Sequence, residues 1–144
     1  MIGIAKTNWI AFGLATTALY FSAALWLKRT YVEPPKPSGV KVIQLERPFF
    51  ELLGSNNRVF SVRVPALESL SDSMENPTRS PFLLYEGTRP LGPPHSDHVE
   101  IERYGAGRFS HWNFSGFLFS SSDGTNPRYN GRTYWAVIPS PVAE

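Results

Sequence analysis

The sequence predicts a single N-terminal transmembrane α-helix followed by an all-β domain, an antiparallel β-sandwich or partly open barrel. Three observations predict it. No charged side chain occurs from Asn8 to Leu27. Thirteen prolines and eleven glycines interrupt the chain too often for a helical bundle. Beyond residue 40, short apolar or alternating runs recur between turn signals. With 144 residues in all, there is room for only one small domain after the helix. A hydrophobic share of 42% and an aromatic share of 14% are enough to give that domain a core. There is no cysteine, which excludes a disulfide framework and any thiolate-held metal or cluster.

Taken in order, residues 1–30 form a short tail and the span, which covers about 8–27. At roughly 1.5 Å per residue this stretch reaches about 30 Å, the thickness of a bilayer's hydrocarbon core. Trp9 and Trp26 near its ends, followed by Lys28 and Arg29, are the side chains that anchor a helix at the headgroup level. Ala11, Ala15, Ala18 and Ser22 recur at helical spacing and form a stripe of small residues suited to packing against partner helices. A cleaved signal peptide is the alternative, with Lys6 as its charged start and Ser22-Ala23-Ala24 as its cleavage site, although the apolar stretch is longer than a signal core. Positive charge is sparse before the helix (Lys6) and dense after it (Lys28, Arg29, Lys36, Lys41, Arg47). The inside-positive bias therefore puts the β domain in the cytoplasm, with a periplasmic or extracellular domain as the alternative.

Residues 31–39 contain Pro34, Pro35 and Pro37, which forbid a helix and predict an extended spacer. The domain is expected over 40–144, with strands at Val40–Leu45 and Arg58–Val64, the latter turning Phe60, Val62 and Val64 to one face. Gly54–Asn57 is a turn between them. Residues 66–81 read as a long surface loop with one helical turn near Leu67–Leu70. Phe82–Tyr85 leads through Glu86-Gly87-Thr88 into a short return at Arg89–Leu91. His98–Tyr104 fits either a strand, by Val99 and Ile101, or a short helix capped by Ser96 and closed by Gly105. Phe114–Ser120 and Thr133–Ile138 complete six or seven strands, with turns at Asp123-Gly124 and Asn130-Gly131.

Charge and motifs exclude several functions. From Ser38 onward ten Lys/Arg face eleven Asp/Glu, so the domain is close to neutral and is not expected to bind nucleic acid. The three histidines, His95, His98 and His111, lack a metal-binding pattern and are expected to bond backbone carbonyls and turn groups. There is no GxSxG elbow and no P-loop, and Gly105-Ala106-Gly107 lacks the third glycine of a dinucleotide fingerprint. Asp123, Asn126 and Asn130 fall short of a calcium ligand set. No catalytic residue, metal or cofactor is expected. Asn113-Phe114-Ser115 is formally a glycosylation sequon, which a cytoplasmic location leaves unread.

Nine aromatics lie between Tyr104 and Trp135, and nine of the domain's ten basic residues are arginines. Most of these rings are expected in the core. The remainder, together with arginine, suit either a protein interface or a sugar site.

Pro90–Ser96, His98, Gly105–Trp112 and Phe119–Tyr134 resemble a small β-rich module that accompanies glycan-biosynthesis and sugar-modifying proteins in bacteria. The resemblance covers residues 90–134. It implies a fold and a sugar-like ligand, with Arg108, His111, Trp112, Asp123, Asn126, Arg128, Asn130 and Arg132 as the matching positions. The catalytic domain that the module usually accompanies has a transmembrane helix in its place here. In architecture alone, the chain is similar to the H subunit of purple-bacterial reaction centres. The expected function is that of a non-catalytic single-pass accessory subunit of a larger inner-membrane complex, photosynthetic or respiratory. Its expected partners are the lipid bilayer and other transmembrane subunits. The alternative is a membrane-tethered glycan-binding module.

Overall fold

The computed structural model of the chain describes residues 3–33 and 35–141, with helix side chains described from Trp9 onward. Pro34 and the side chain of Lys6 lie outside the described residues. The chain divides into a helical unit and a β unit between Glu33 and Pro34.

The helix α1 (Gly3–Thr30) is unbroken, and its segment Trp9–Thr30 is long and apolar enough to cross a membrane. Large apolar side chains, among them Trp9, Phe12, Leu14, Leu19, Phe21 and Leu25, project on all sides and are exposed. Three of its threonine hydroxyls bond carbonyls of the preceding turn. Thr16 Oγ1 donates to Phe12 O (3.1 Å), Thr17 Oγ1 to Gly13 O (2.8 Å) and Thr30 Oγ1 to Trp26 O (2.8 Å). Such bonds let threonine lie where no water is available. Lys28 and Arg29 fall in the last turn, where the helix dipole favours cations. A single apolar N-terminal helix of this build suits a membrane anchor or a signal sequence.

The β unit holds two four-stranded antiparallel sheets, an open sandwich-like arrangement. The first has the order β1 (Lys41–Leu45), β8 (Tyr134–Ile138), β4 (Leu83–Glu86), β5 (Arg89–Pro90). The second has the order β2 (Phe50–Glu51), β3 (Phe60–Val62), β7 (Gly116–Phe119), β6 (Phe109–Trp112). Leu45, Leu84, Tyr134 and Ala136 from the first sheet meet Phe60, Val62, Phe109, Phe117 and Phe119 from the second in one core. Each leucine, valine or phenylalanine among them, taken fully from water, contributes about 1.5–3 kcal/mol. Phe49 packs edge-on against Phe119 (5.3 Å between centroids) and Tyr134 (5.6 Å), the arrangement that ring quadrupoles favour. Leu118 faces the other way and joins Val59 and Ile101 in a second small cluster. That cluster seats α2 (His98–Tyr104) against the outer side of β7.

Several sequence expectations change. Among the described residues there are eight strands rather than six or seven, because β2 and β6 add to those expected. His98–Tyr104 is a helix, and its cap is Asp97, not Ser96: Asp97 Oδ1 accepts from Glu100 N (2.7 Å) while Glu100 Oε2 accepts from Asp97 N (3.3 Å). The segment 66–81 is not all surface, since Ser71, Asp72 and Ser80 are buried. Its helical turn is present as a 3-10 turn over Pro65–Leu70. The strand expected from Phe114 begins only at Gly116, and Phe114 lies in the preceding turn at φ +64° with its ring exposed.

Gly116 is a position where only glycine fits. Its φ is +74°, and an added Cβ would lie 2.4 Å from Val62 O and 2.9 Å from Arg63 Cα. Gly124 has the same backbone hand (φ +76°) but open space around it. Gly124→Ala should therefore cost only about 1–2 kcal/mol of left-handed strain. Gly116→Ala adds a backbone clash and should cost roughly 3 kcal/mol or more. Denaturant unfolding of the detergent-solubilised chain, followed by tryptophan fluorescence, would rank the two.

Candidate functional site

Five of the sequence-picked residues come together in the connection from β7 to β8. Arg132 Nη2 bonds Asp123 Oδ2 (2.5 Å), and its Nη1 lies 3.2 Å from Glu86 Oε1. Glu86 also accepts from Tyr134 Oη (2.8 Å) and Ser122 Oγ (2.5 Å). Asn126 Oδ1 accepts from Arg128 N (2.9 Å), and Asn130 Oδ1 accepts from Arg132 N (3.1 Å). Asn130 Nδ2 donates to Tyr134 Oη (2.9 Å). Arg128 Nε donates to Phe49 O (2.8 Å). These groups bond one another and the backbone, so they hold the loop in shape. Burial pushes the Glu86 carboxyl up, but its bonds from Ser122, Tyr134 and Arg132 outweigh that and leave it below its ordinary range. The bond from Arg132 holds Asp123 well below the usual carboxylate range, and burial raises the Tyr134 hydroxyl.

The other three picks lie elsewhere. His111 is buried, which corrects its assignment to a ligand surface, and its ring stacks on Phe117 at 4.1 Å between centroids. Its Nδ1 pairs with Ser80 Oγ (2.9 Å). His95 Nδ1 pairs with Asp72 Oδ2 (2.8 Å), while Asp72 Oδ1 accepts from Ser80 N (2.7 Å). These two histidines thus bond side chains of the 72–80 segment, where backbone carbonyls and turn groups were expected. The arrangement is not a catalytic triad, because Asp72 bonds His95 and Ser80 N rather than His111. Among the described residues no group of three or more His, Asp or Glu is placed to hold a metal ion. Trp112 is half-buried, and the Arg108 guanidinium lies 4.9 Å from the Tyr104 ring centroid.

Two concave surfaces were not legible as sites. One is a groove of about 510 Å³ on the second sheet, with Phe50, Leu52 and Phe114 on its walls, Leu118 beneath and Arg47, Arg63 and His98 around it. The other is a polar cleft of about 460 Å³ where α2 ends, lined by Asn57, Arg58, Tyr104, Ala106 and the segment 120–124. The available signal for the groove was Asn113-Phe114-Ser115-Gly116, a turn sequence carrying a large ring. For the cleft, nothing local joins Arg58 to Tyr104.

Along α1, Ala11, Ala15, Ala18 and Ser22 fall within an arc of about 60°, given 3.6 residues per turn. Trp9 and Trp26 are exposed near opposite ends. Comparison with family models, with curated proteins and with solved structures finds no match to this chain.

The buried histidine sets a pH dependence. Burial pushes His111 down to about 4, against an ordinary value of 6.5. Below pH 6.5 the unfolded chain gains a proton that the folded chain refuses. Stability should thus fall as the pH drops from about 6.5 to 4, by roughly 2–4 kcal/mol. Thermal unfolding across this range should show the loss, and His111→Phe should flatten it whatever its effect at neutral pH.

Proposed function

We propose that the chain is a non-catalytic, single-pass accessory subunit of a larger complex in the inner, cytoplasmic-type membrane. In this reading α1 is the anchor, its stripe of Ala11, Ala15, Ala18 and Ser22 meets partner helices, and the β unit docks on an extramembrane surface on the cytoplasmic side. One observation carries the reading. Phe50, Leu52 and Phe114 wall a single groove while 61%, 37% and 78% exposed, in a unit that buries its other phenylalanines. A clustered apolar surface of this kind is costly to leave in water and marks a contact. The guanidinium of Arg47 beside it donates to Pro127 O (3.0 Å) and Arg132 O (2.8 Å), so the rim is held rigid before any partner arrives.

Solubilisation from native membranes in mild detergent should yield the chain in an assembly well above the mass of a monomer in its micelle. Phe50→Ser combined with Phe114→Ser, both at exposed positions, should release a folded, membrane-embedded monomer. A wild-type chain that emerges as a free monomer would overturn the reading.

A second reading, a membrane-tethered glycan-binding module, is favoured by the polar cleft. Tyr104 presents a half-exposed ring there among hydroxyl, amide and guanidinium groups, the combination that stacks on and bonds to sugars.

A further inference from the structure

We propose that the cleft at the end of α2 binds an acidic sugar, a pyranose unit that bears a carboxylate, with its ring on Tyr104 and its carboxylate on Arg58. This rests on the glycan-binding reading and names its ligand class.

Arg58 differs from the arginines of the β7–β8 connection. Arg132 has two carboxylate partners, Arg128 has Glu51 (3.9 Å) and the carbonyl of Phe49, and Arg47, on the connection from β1 to β2, bonds backbone carbonyls. Arg58 is exposed, and it has no carboxylate within salt-bridge distance among the described residues. Its Nη1 makes only long bonds, to Glu102 O (3.4 Å) and Arg103 O (3.5 Å). Those bonds orient the guanidinium and leave Nη2 and Nε to form the planar fork that pairs with a carboxylate.

The rest of the lining supplies what a sugar ring needs. Tyr104 is 55% exposed, and the Arg108 guanidinium over its ring fixes the ring's orientation. The Asp123 carboxylate, kept ionised by Arg132 and Thr125, is an acceptor for ring hydroxyls. Asn57 Oδ1 already accepts from Asn126 Nδ2 (3.2 Å), so its amide NH2 is left to donate. Two non-glycine residues of the lining, Asn57 (φ +59°) and Ala106 (φ +53°), adopt the left-handed conformation. Backbone held in such conformations concentrates at ligand sites.

The balance of charge selects the ligand. Arg58 is the one guanidinium among the residues lining the cleft and suits one negative charge, while Arg103 and Arg108 lie over the Tyr104 ring, 5.8 and 4.9 Å from its centroid. A phosphate chain would face the Asp123 carboxylate and the carbonyl end of α2, both of which repel it. A carboxylate at one edge of a polyhydroxylated ring meets Arg58 and leaves hydroxyls for Asp123.

The test uses the full chain in nanodiscs on an array of glucuronate-, galacturonate- and sialate-terminated glycans beside their neutral counterparts. An acidic glycan should bind saturably, with its neutral counterpart at least tenfold weaker. Arg58→Gln should erase that difference, Arg58→Lys should restore part of it, and Tyr104→Ala should weaken both ligands at least tenfold. Unfolding curves of the variants confirm that these exposed substitutions leave the fold intact. Equal binding of acidic and neutral glycans, unchanged by Arg58→Gln, would overturn the proposal and leave the glycan reading standing. Binding to no glycan would remove both. Displacement of a bound glycan by a nucleotide at lower concentration would assign the cleft to another ligand and overturn the proposal.

Discussion

The sandwich depends on two crossovers being clamped to each other. Of the four connections that change sheet, the first runs from the first sheet to the second between Leu45 and Phe50, and the last returns between Phe119 and Tyr134. Arg47 on the first crossover donates to three carbonyls of the second, Pro127, Arg128 and Arg132. Arg128 on the second reaches back to Phe49 O on the first. A two-sheet core is stable only if its sheets stay face to face, and neither crossover has the regular hydrogen-bond ladder that would fix it alone. The two guanidiniums supply that constraint, and Phe49 is thereby held in the gap between Phe119 and Tyr134.

The polar groups around the return crossover extend the clamp inward. Glu86, from the central strand β4, collects Ser122, Tyr134 and Arg132 in a largely buried place. A buried carboxylate is tolerable only with several donors, and here three side chains provide them. The density of arginine, asparagine and aspartate between residues 119 and 134, which in the sequence suggests a ligand surface, thus has an architectural cause. Residues that shape an irregular connection need the same donor-rich, turn-forming side chains as residues that hold a sugar. Composition does not separate the two roles; only the partner of each group does.

What was legible in the sequence follows from range. The apolar N-terminal helix, the alternation of Phe60 and Val62, and the turns at Asp123-Gly124 and Asn130-Gly131 are local signals, and they predict the class of fold. β6 escaped because Phe109, Ser110 and His111 are all buried, so neither face shows the polar alternation of a half-exposed strand. Asp72 reads as surface in the sequence because its partners His95 and Ser80 N arrive from other turns. Val99 and Ile101 fit a period of two as well as one face of a helix, and the reciprocal Asp97–Glu100 bonds tip that segment to helix. The groove and the cleft were hidden for a further reason. Each joins residues more than forty positions apart, so no window of sequence contains either one.

The same short helix connects the two surfaces. His98, at the start of α2, borders the apolar groove, while Tyr104, at its end, borders the polar cleft. Seven residues at about 1.5 Å each put the two ends roughly 10 Å apart. Such a helix is too short to be stable alone and takes its order from tertiary contacts. Ile101 is its one buried residue, packed with Leu118 and Val59. The capping box fixes the first turn, and Gly105, at φ +56°, closes the last with its N–H on Ile101 O. Arg58 adds a tie from outside by donating to the carbonyls of Glu102 and Arg103. Both surfaces therefore take their shape from an apolar seat of three residues plus terminal hydrogen bonds, whereas the arginine clamp preserves the sandwich that carries them.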